Sequence, residues 1–182
     1  MSISGIVEKI RQWKIRRYVR RLIARGLSLG KNVYLNDGFF LDPSHCHLIT
    51  IEDYVVFGPF VKVFAHDASS LKVCGKTKIG LVHLKRNCFI GADAVILPGA
   101  VVGENSILAA NSTLSSVMPD NEVWAGSPAK FLMGIEAYRR KLEEEAAADF
   151  SEAEFRQEAL TEEKRGKMVE ELRRWGSGFM RP

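Results

Sequence analysis

Histidine is the residue type through which this chain could carry out proton or metal chemistry, and it occurs at His45, His47, His66 and His83. A neutral imidazole accepts and returns a proton near neutral pH. His66 directly precedes a polar, glycine-containing segment, residues 68–79. Long loops often carry catalytic or binding residues. His66 is therefore our candidate for a general base, against the alternative of a surface histidine at a turn.

Asp67 follows His66 and is a candidate for orienting its imidazole. Adjacent residues on a strand point to opposite sides, so this role requires that the backbone has already turned at this position. Two other roles for Asp67 remain open, namely contact with a substrate and capping of the loop.

A metal site is a second use for histidines in this chain. His45 and His47 are two residues apart and could face the same side of a strand. The chain has three cysteines, Cys46, Cys74 and Cys88. An odd number without paired metal-ligand spacing is typical of reduced thiols in the cytoplasm. We predict neither a metal site nor a disulfide.

A repeat of six residues organises the stretch from Leu84 to Pro119, and neither a simple helix nor a simple strand has that period. An aliphatic residue opens each block, at Leu84, Ile90, Ile96, Val102, Leu108 and Leu114. A fixed repeat indicates units that bury their apolar faces by stacking on one another. Six-residue units predict a parallel β-helix with the opening aliphatic side chains inside.

The same six-residue phase begins earlier in the chain. Its predicted inward positions are Leu29, Leu35, Leu41, Ile51, Phe57 and Val63. Out-of-phase residues from His47 to Thr50 predict a small bulge at a corner. The repeats together predict about four coils over residues 29–131, with residues 68–79 ejected as a loop.

The chain resembles the hexapeptide-repeat acyltransferases that use acetyl-CoA. The resemblance lies in these repeats, in the ending A-G-S-P-A-K at Ala125–Lys130 and in the stretch F-A-H-D-A around His66. Within that group the chain is most similar to O-acetyltransferases of surface-polysaccharide and lipopolysaccharide assembly. The resemblance implies an all-β solenoid, a left-handed parallel β-helix with three hexapeptides per coil. It covers about Leu29 to Phe131.

The resemblance implies a role for His66 in acetyl transfer. His66 would take the proton of an acceptor hydroxyl and return it to the departing CoA thiolate. Backbone N–H groups of a neighbouring subunit would stabilise the oxyanion. The family implies a homotrimer whose active sites lie between subunits, with acetyl-CoA as co-substrate and no metal required.

The resemblance also implies a set of positions for acetyl-CoA, most of which are small residues. They are Ala92, Ala110, Ser115, Ser116 and Lys130. Lys130 would face a phosphate of the nucleotide. The family often has a further basic residue where this chain has Met133. Repeat geometry alone is the alternative explanation for the alanines and serines.

For the acceptor, the resemblance points to the earlier coils and to one aromatic residue. Phe89 stands where relatives commonly have tryptophan, and Asn36 and Asp37 lie where relatives bind the acceptor. The expected acceptor is a hydroxyl of a sugar in a polysaccharide or lipopolysaccharide precursor. An amine of an amino sugar or other small compound is the alternative.

Two segments, residues 1–28 and 132–182, lie outside the resemblance. Residues 4–25 predict a basic amphipathic helix, which would either cap the solenoid, pack on another subunit or lie on a membrane surface. Residues 132–182 predict a helical extension. Basic residues concentrate in the first 25 positions rather than spreading evenly, and we expect no nucleic-acid partner. No apolar run suits a membrane span, so a cytoplasmic protein is expected, with possible contact at the inner face of the membrane.

Two other functional classes remain as alternatives. One is a γ-type carbonic anhydrase, which has the same fold and holds zinc with three histidines, although the histidine spacing here does not match that family's pattern. The other is a scaffold or membrane-docking protein without catalytic activity.

Overall fold

The repeat builds a prism with three faces, each a sheet of short strands stacked coil upon coil. The computed structural model describes residues 3–145, 147–155 and 160–181. Successive strands pass from face 1 to face 2 to face 3 and then return to face 1 one coil higher. All pairings within the prism are parallel except the last one on face 2.

The strands of the prism are two to six residues long, as expected when a corner follows each one. Face 1 consists of Ser28–Leu29 (β1), Ile49–Ile51 (β3), Val82–Leu84 (β8), Val101–Val102 (β11) and Val117–Met118 (β14). Face 2 consists of Val56–Phe57 (β4), Phe89–Ile90 (β9), Ile107–Leu108 (β12), Glu122–Gly126 (β15) and Ala129–Gly134 (β16). Face 3 consists of Phe40–Leu41 (β2), Lys62–Val63 (β5), Val95–Ile96 (β10) and Thr113–Leu114 (β13).

The core of the prism is formed by the side chains that open the six-residue blocks. Fully buried members are Leu41, Ile51, Phe57, Val63, Leu84, Ile90, Ile96, Val102, Leu108 and Leu114. Leu29 and Leu35, in the first coil, are partly buried and pack against this core. Full burial of one such side chain contributes about 1.5–3 kcal/mol, so stacking is what stabilises the individual coils.

Asparagines at equivalent corners allow the chain to turn between faces 1 and 2. Asn87, Asn105 and Asn121 have φ between 55° and 61°, in the left-handed region that asparagine tolerates better than most residues. Their side chains also stack: Asn87 donates to Asn105 at 2.9 Å, and Asn105 donates to Asn121 at 3.3 Å. The corner therefore repeats in both backbone conformation and side-chain contact.

Two details of the coils differ from the sequence-based expectation. The predicted bulge from His47 to Thr50 is wrong, because Cys46–Leu48 form a single turn of 3-10 helix before β3. The last coil is also shorter than the repeat predicts. On face 1 the sequence separation between the paired residues Val102 and Met118 is two residues less than that between the paired residues Leu84 and Val102. Met118 thereby takes an inward position.

The segment ejected between the second and third coils is a hairpin rather than an irregular loop. His66–Asp67 (β6) pairs antiparallel with Lys78–Ile79 (β7). Between them lies one helical turn, Leu71–Cys74 (α2), which ends at Gly75 with φ of 67°. The Ser70 hydroxyl joins the two sides, because it donates to Lys76 O at 2.6 Å and accepts from Lys78 N at 3.2 Å.

The N-terminal helix Ile3–Ala24 (α1) packs on the first coil. Leu22 is buried in the prism core, and Tyr18 donates from its hydroxyl to Leu41 O at 3.0 Å. Cys46 Sγ lies 3.6 Å from Leu22 O. Of the roles expected for this helix, the structure shows the capping of the solenoid: the inner face of α1 packs on the first coil.

Residues Arg139–Pro182 form a separate compact unit. After Ile135–Glu144 (α3) come Ala148–Ser151 (β17), Glu152–Phe155 (α4), Glu162–Trp175 (α5) and Gly178–Arg181 (β18). β17 and β18 pair in parallel, so this region contains a small sheet in addition to the helices expected from the sequence.

The small core of this unit consists of Ala148, Phe150 and Phe155, with Met168 and Leu172 of α5 packed against them. The sequence pattern also predicts Val169 and Trp175 on one apolar stripe with Met168 and Leu172, but both are exposed. The sequence also predicts Ala146 on one side of a helix with Ile135, Tyr138 and Leu142, but Ala146 lies outside the described residues.

Candidate active site

Asp42 is the fully buried carboxylate at the corner that follows face 3 in the first coil. Its own N–H donates to Val63 O at 2.9 Å. Three backbone N–H groups donate to its carboxylate: those of Ser44 at 3.0 Å, His45 at 3.2 Å and Ala65 at 3.1 Å. Burial acts to raise the pKa of Asp42, but the hydrogen bonds from His66 and these N–H groups outweigh it and hold the pKa below its usual value. Asp42 is therefore an anion in a fixed orientation.

His66 lies one coil higher at the same corner, in the first strand of the ejected hairpin. Its Nδ1 forms a short hydrogen bond with Asp42 Oδ2. The side chain is about one-third exposed, at 31%. An anionic carboxylate accepts hydrogen bonds only, so it favours the tautomer with the proton on Nδ1. Nε2 of His66 then carries the lone pair with which an imidazole acts as a base.

Asp67 has a different position from the one predicted by its place in the sequence. Its carboxylate accepts from Ser69 N at 2.8 Å, and this hydrogen bond is the main cause of its lowered pKa. The expectation that Asp67 orients the imidazole is wrong, because Asp42 occupies that position. Asp67 caps the start of the ejected segment, which was one of its alternative roles.

The other histidines divide between two places in the structure. The ring of His45 lies next to that of His66, with centroids 4.7 Å apart, and the ring of His47 is 6.0 Å from that of His45. His83, on face 1, instead contacts Glu52, with its Nε2 2.6 Å from Glu52 Oε1. Within the described residues, the group with metal-ligand spacing is Asp42, His45 and His66 rather than three histidines.

The residues predicted for acetyl-CoA fall at two different corners. Ala92 and Ala110 stack at the corner between faces 2 and 3, where Asn111 N donates to Ala92 O at 2.8 Å. A Cβ at the neighbouring Gly91 would lie 2.2 Å from Ala110 N, so close stacking of the coils requires glycine there. Repeat geometry therefore accounts for small residues at this corner independently of any ligand.

Ser115 and Ser116 are exposed at the corner after face 3, the corner that also carries His66 two coils below. Lys130 is exposed on the last hairpin of face 2, opposite Ala125. Phe89 lies on face 2 and is 43% exposed. Of the predicted ligand-binding residues, the serines thus share an edge of the prism with the candidate base.

Asn36 and Asp37 are separated from His66 within the subunit. They lie at the corner between faces 2 and 3 in the first coil, where Phe60 N donates to Asp37 O at 2.8 Å. The Asp37 carboxylate forms an ion pair with Arg11 of α1. Its position indicates a role in holding α1 in place.

Asp42 is the residue of the candidate site that the sequence-based prediction missed. The repeat itself offers an indication of Asp42. Asp42 follows the inward residue Leu41, and Leu41 pairs with Val63, which lies three residues before His66. The out-of-phase residues between these coils obscure that register, because a plain repeat would place a different residue beneath His66.

Comparison with known proteins finds relatives that share the six-residue repeat. Residues 82–116 match the family described as bacterial transferase hexapeptide (six repeats). The galactoside O-acetyltransferase of Lactococcus lactis is 31% identical over 109 residues, which cover 54% of this chain and 51% of that protein. The galactoside O-acetyltransferase of Escherichia coli is 31% identical over 112 residues, covering 60% and 54% of the two chains. The chain thus spans about half the length of these relatives.

A solved structure supports the fold. It is a hexapeptide-repeat acetyltransferase from Vibrio cholerae in complex with acetyl-CoA, with a TM-score of 0.54 and 24% identity over 60% of this chain and 61% of that one. The predicted left-handed parallel β-helix is confirmed by this similarity and by the parallel pairing of strands within each of the three faces. The solenoid of this chain is thus similar to that of the hexapeptide-repeat transferases, whose family model matches residues 82–116.

Proposed function

We propose that this protein transfers an acetyl group from acetyl-CoA to a hydroxyl of a sugar. The observation that carries the proposal is the hydrogen-bonded pair of Asp42 and His66 on the scaffold of the hexapeptide-repeat family. Relatives that share the repeat are named galactoside O-acetyltransferases. The pair supplies the one function that such a transfer requires of a side chain, which is to move a proton during attack.

The proposed reaction uses Nε2 of His66. This nitrogen takes the proton of the sugar hydroxyl as the oxygen forms a bond to the thioester carbonyl carbon. Asp42 stabilises the imidazolium that results, because its carboxylate lies against Nδ1. When the tetrahedral intermediate collapses, the C–S bond breaks and Nε2 returns the proton to the CoA thiolate. The products are the acetylated sugar and free CoA.

A test of this role compares wild-type protein with His66→Asn and His83→Asn. The assay is release of CoA from acetyl-CoA over a set of sugars, with mass analysis of the acetylated product. We expect His66→Asn to lower kcat by about 10²- to 10⁴-fold, the usual size of general-base catalysis. His83→Asn removes a histidine that contacts Glu52 and serves as the matched control. Equal activity of His66→Asn and wild type on a true acceptor would exclude His66 as the base.

The kind of acceptor is decided by the same assay. A sugar hydroxyl, which we favour from the named relatives, requires removal of a proton before or during attack, whereas a neutral amine attacks without it. Paired acceptors that differ only in a hydroxyl or an amino group at one position separate the two. A preference for the amine partner would replace O-acetylation by N-acetylation.

For acetyl-CoA we propose the exposed edge that carries Ser115 and Ser116, with Lys130 facing a phosphate of the nucleotide. A lysine ammonium binds phosphate as a point charge. Replacing Lys130 by methionine is expected to raise the KM for acetyl-CoA and to leave the KM for 3′-dephospho-acetyl-CoA nearly unchanged. A similar rise with both donors would place Lys130 at the diphosphate rather than at the 3′-phosphate, and no rise with either donor would exclude a phosphate contact.

A homotrimer is the assembly that we propose, because His66 is partly exposed at an edge of the prism and a second subunit would complete a cleft there. Light scattering at the protein concentration of the assay measures the mass in solution. A trimeric mass is expected, and an active monomer would contradict both the assembly and the shared site.

We also propose that the outer face of α1 contacts an anionic membrane surface. None of the helices that the structure describes is long and apolar enough to cross a bilayer. Ile10 and Trp13 are exposed, and Arg16, Arg17, Arg20 and Arg21 line a cavity around Trp13 with Ala24. The guanidinium of Arg17 lies 5.4 Å from the centre of the Trp13 ring. Exposed tryptophan beside cations is typical of helices that lie in an interface.

Charge reversal tests this contact without removing the helix that covers the first coil. Arg17→Glu/Arg20→Glu is expected to abolish co-sedimentation with vesicles containing phosphatidylserine, and salt is expected to weaken wild-type binding. Arg173→Glu/Arg174→Glu in α5 is the matched control, since Arg174 also lies 5.4 Å from a tryptophan ring, that of Trp175. Equal losses in the two variants would show that total charge, rather than α1, governs the binding.

A further inference from the structure

Asp42, His45 and His66 bring a carboxylate and two imidazoles together beneath the ejected hairpin. One ligand atom from each residue lies within 4.8 Å of the others. His45 Nδ1 is 3.9 Å from Asp42 Oδ2, the same oxygen that contacts His66 Nδ1. Asp42 is buried and held by backbone N–H groups, so its carboxylate is a fixed point around which the two imidazoles are arranged.

Nδ1 of His45 takes no part in the proton transfer proposed for His66. Its Nδ1 is buried, and within the described part of the chain it has no hydrogen-bond partner. Leaving a buried polar atom unsatisfied costs about 1–3 kcal/mol. This atom faces the carboxylate of Asp42 at a distance too long for a hydrogen bond. A group placed between them would satisfy the nitrogen.

We propose that Asp42, His45 and His66 form a binding site for a divalent ion of the zinc type, and that the bound ion inhibits the enzyme. Two imidazoles and one carboxylate with an open position are a ligand set that zinc takes in proteins, whereas magnesium and calcium prefer oxygen ligands. Ligand atoms about 2.0–2.2 Å from a tetrahedral ion lie about 3.3–3.6 Å apart. To reach that spacing, His45 closes slightly towards Asp42, and His66 Nδ1 moves away from the Asp42 oxygen with which it now forms a short hydrogen bond.

The inhibition follows from the tautomer of His66, and this part rests on the proposed function. An ion on Nδ1 needs the lone pair of that nitrogen, so the single N–H proton of the neutral ring moves from Nδ1 to Nε2 by exchange with solvent. Nε2 becomes a donor and no longer accepts the proton of the acceptor. If the ion instead took Nε2, it would occupy the lone pair directly. Either mode removes the base without altering the fold.

Direct binding tests the site independently of any enzyme activity. Chelator-treated full-length protein is titrated with Zn²⁺ by calorimetry and with Co²⁺ by its visible absorption, and Mg²⁺ is the comparison ion. We expect one Zn²⁺ per chain, no measurable Mg²⁺ binding, and a loss of at least about 10-fold in Zn²⁺ affinity for His45→Gln, since loss of even an outer-shell partner often costs that much. His83→Gln, which replaces a histidine outside the group, should bind as wild type does. Unchanged affinity of His45→Gln, or equal losses in the two variants, would overturn the site.

Assays of acetyl transfer test the inhibition. For each protein, the rate with Zn²⁺ is divided by the rate of the same protein without Zn²⁺, so that differences in basal activity between variants do not matter. The expected result is strong inhibition of wild type and of His83→Gln, with inhibition of His45→Gln shifted to higher Zn²⁺ by the same factor as its affinity. Chelation of Zn²⁺ by released CoA affects all three proteins alike and cancels in the comparison. Zn²⁺ bound at these residues without inhibition would overturn the regulatory role. Absence of acetyl transfer in every protein would instead count against the proposed function, while the binding arm still reports on the site.

Discussion

Asp42 determines which nitrogen of His66 is available for chemistry. The carboxylate contacts Nδ1 and is itself held by the N–H groups of Ser44, His45 and Ala65. A buried anion that accepts several hydrogen bonds cannot rotate without losing them. The orientation of the imidazole is therefore a property of the folded corner rather than of the adjacent Asp67.

Replacing Asp42 by asparagine tests this orienting role. An amide N–H directed at Nδ1 favours the tautomer with the proton on Nε2, which cannot act as a base. We expect kcat to fall by about 10²- to 10⁴-fold while the KM for acetyl-CoA changes little. Steady-state kinetics with the best sugar acceptor measure both constants. Asp67→Asn, whose side chain contacts Ser69, is the control. Equal losses in the two variants would remove the special role of Asp42.

Asp42 also makes stability depend on pH in acid. Its pKa is lower in the folded chain than the ordinary value of about 3.9 for an unfolded one, so the folded state favours the ionised form. This contribution is complete above the unfolded pKa and is lost as the pH falls through the lower folded pKa.

The expected result is that the free energy of unfolding of wild type falls more steeply below about pH 4 than that of Asp42→Asn. Urea unfolding followed by circular dichroism at a series of pH values measures both. Parallel pH profiles of the two proteins would show that Asp42 titrates alike in the folded and unfolded chains.

Short strands of the prism obtain their stability from the coils above and below them. β10 pairs with β5 below and β13 above, and its Ile96 is fully buried between Val63 and Leu114. A two-residue strand has no stability of its own, so the interior side chains and the parallel ladders act together.

Ile96→Ala is expected to destabilise the protein by about 2–5 kcal/mol, because it leaves a cavity in a core that cannot easily collapse. Val73→Ala in α2 is the matched control, since Val73 is 90% exposed, and its effect should stay within about 0.5 kcal/mol. Chemical denaturation measures both. A change of similar size in the two variants would contradict the assignment of Ile96 to the interior.

The molecule as a whole places its three thiols in different surroundings. Cys74 is exposed on the ejected hairpin, whereas Cys88 lies in the prism core and Cys46 lies beneath α1. Burial raises the pKa of Cys88 to about 12, which suppresses the thiolate that reacts with disulfide reagents.

Native protein is therefore expected to react rapidly at one thiol per chain, with the other two reacting only on unfolding. Titration with a chromogenic disulfide reagent measures the counts, and Cys74→Ser should lose the rapid phase. Rapid modification of Cys88 in the native protein would indicate that the prism opens far more readily than its packing implies.

Much of the architecture was determined by the sequence alone. The six-residue spacing from Leu84 to Leu114 requires stacking, because the aliphatic side chain that opens each block is buried inside a triangular coil. The position of His66 before a polar segment likewise predicted a titratable group at the base of the ejected hairpin. Both are local patterns, in which neighbours along the chain carry the information.

The partner of His66 was decided only by the tertiary structure. Asp42 is 24 residues away and reaches the imidazole because the 3-10 turn at Cys46–Leu48 sets the register between the first two coils. The same turn places His45 beside them. Register across such a turn depends on how the coils pack, and no spacing in the sequence states it. The sequence therefore predicts the scaffold and the candidate base, whereas packing selects the carboxylate that contacts it.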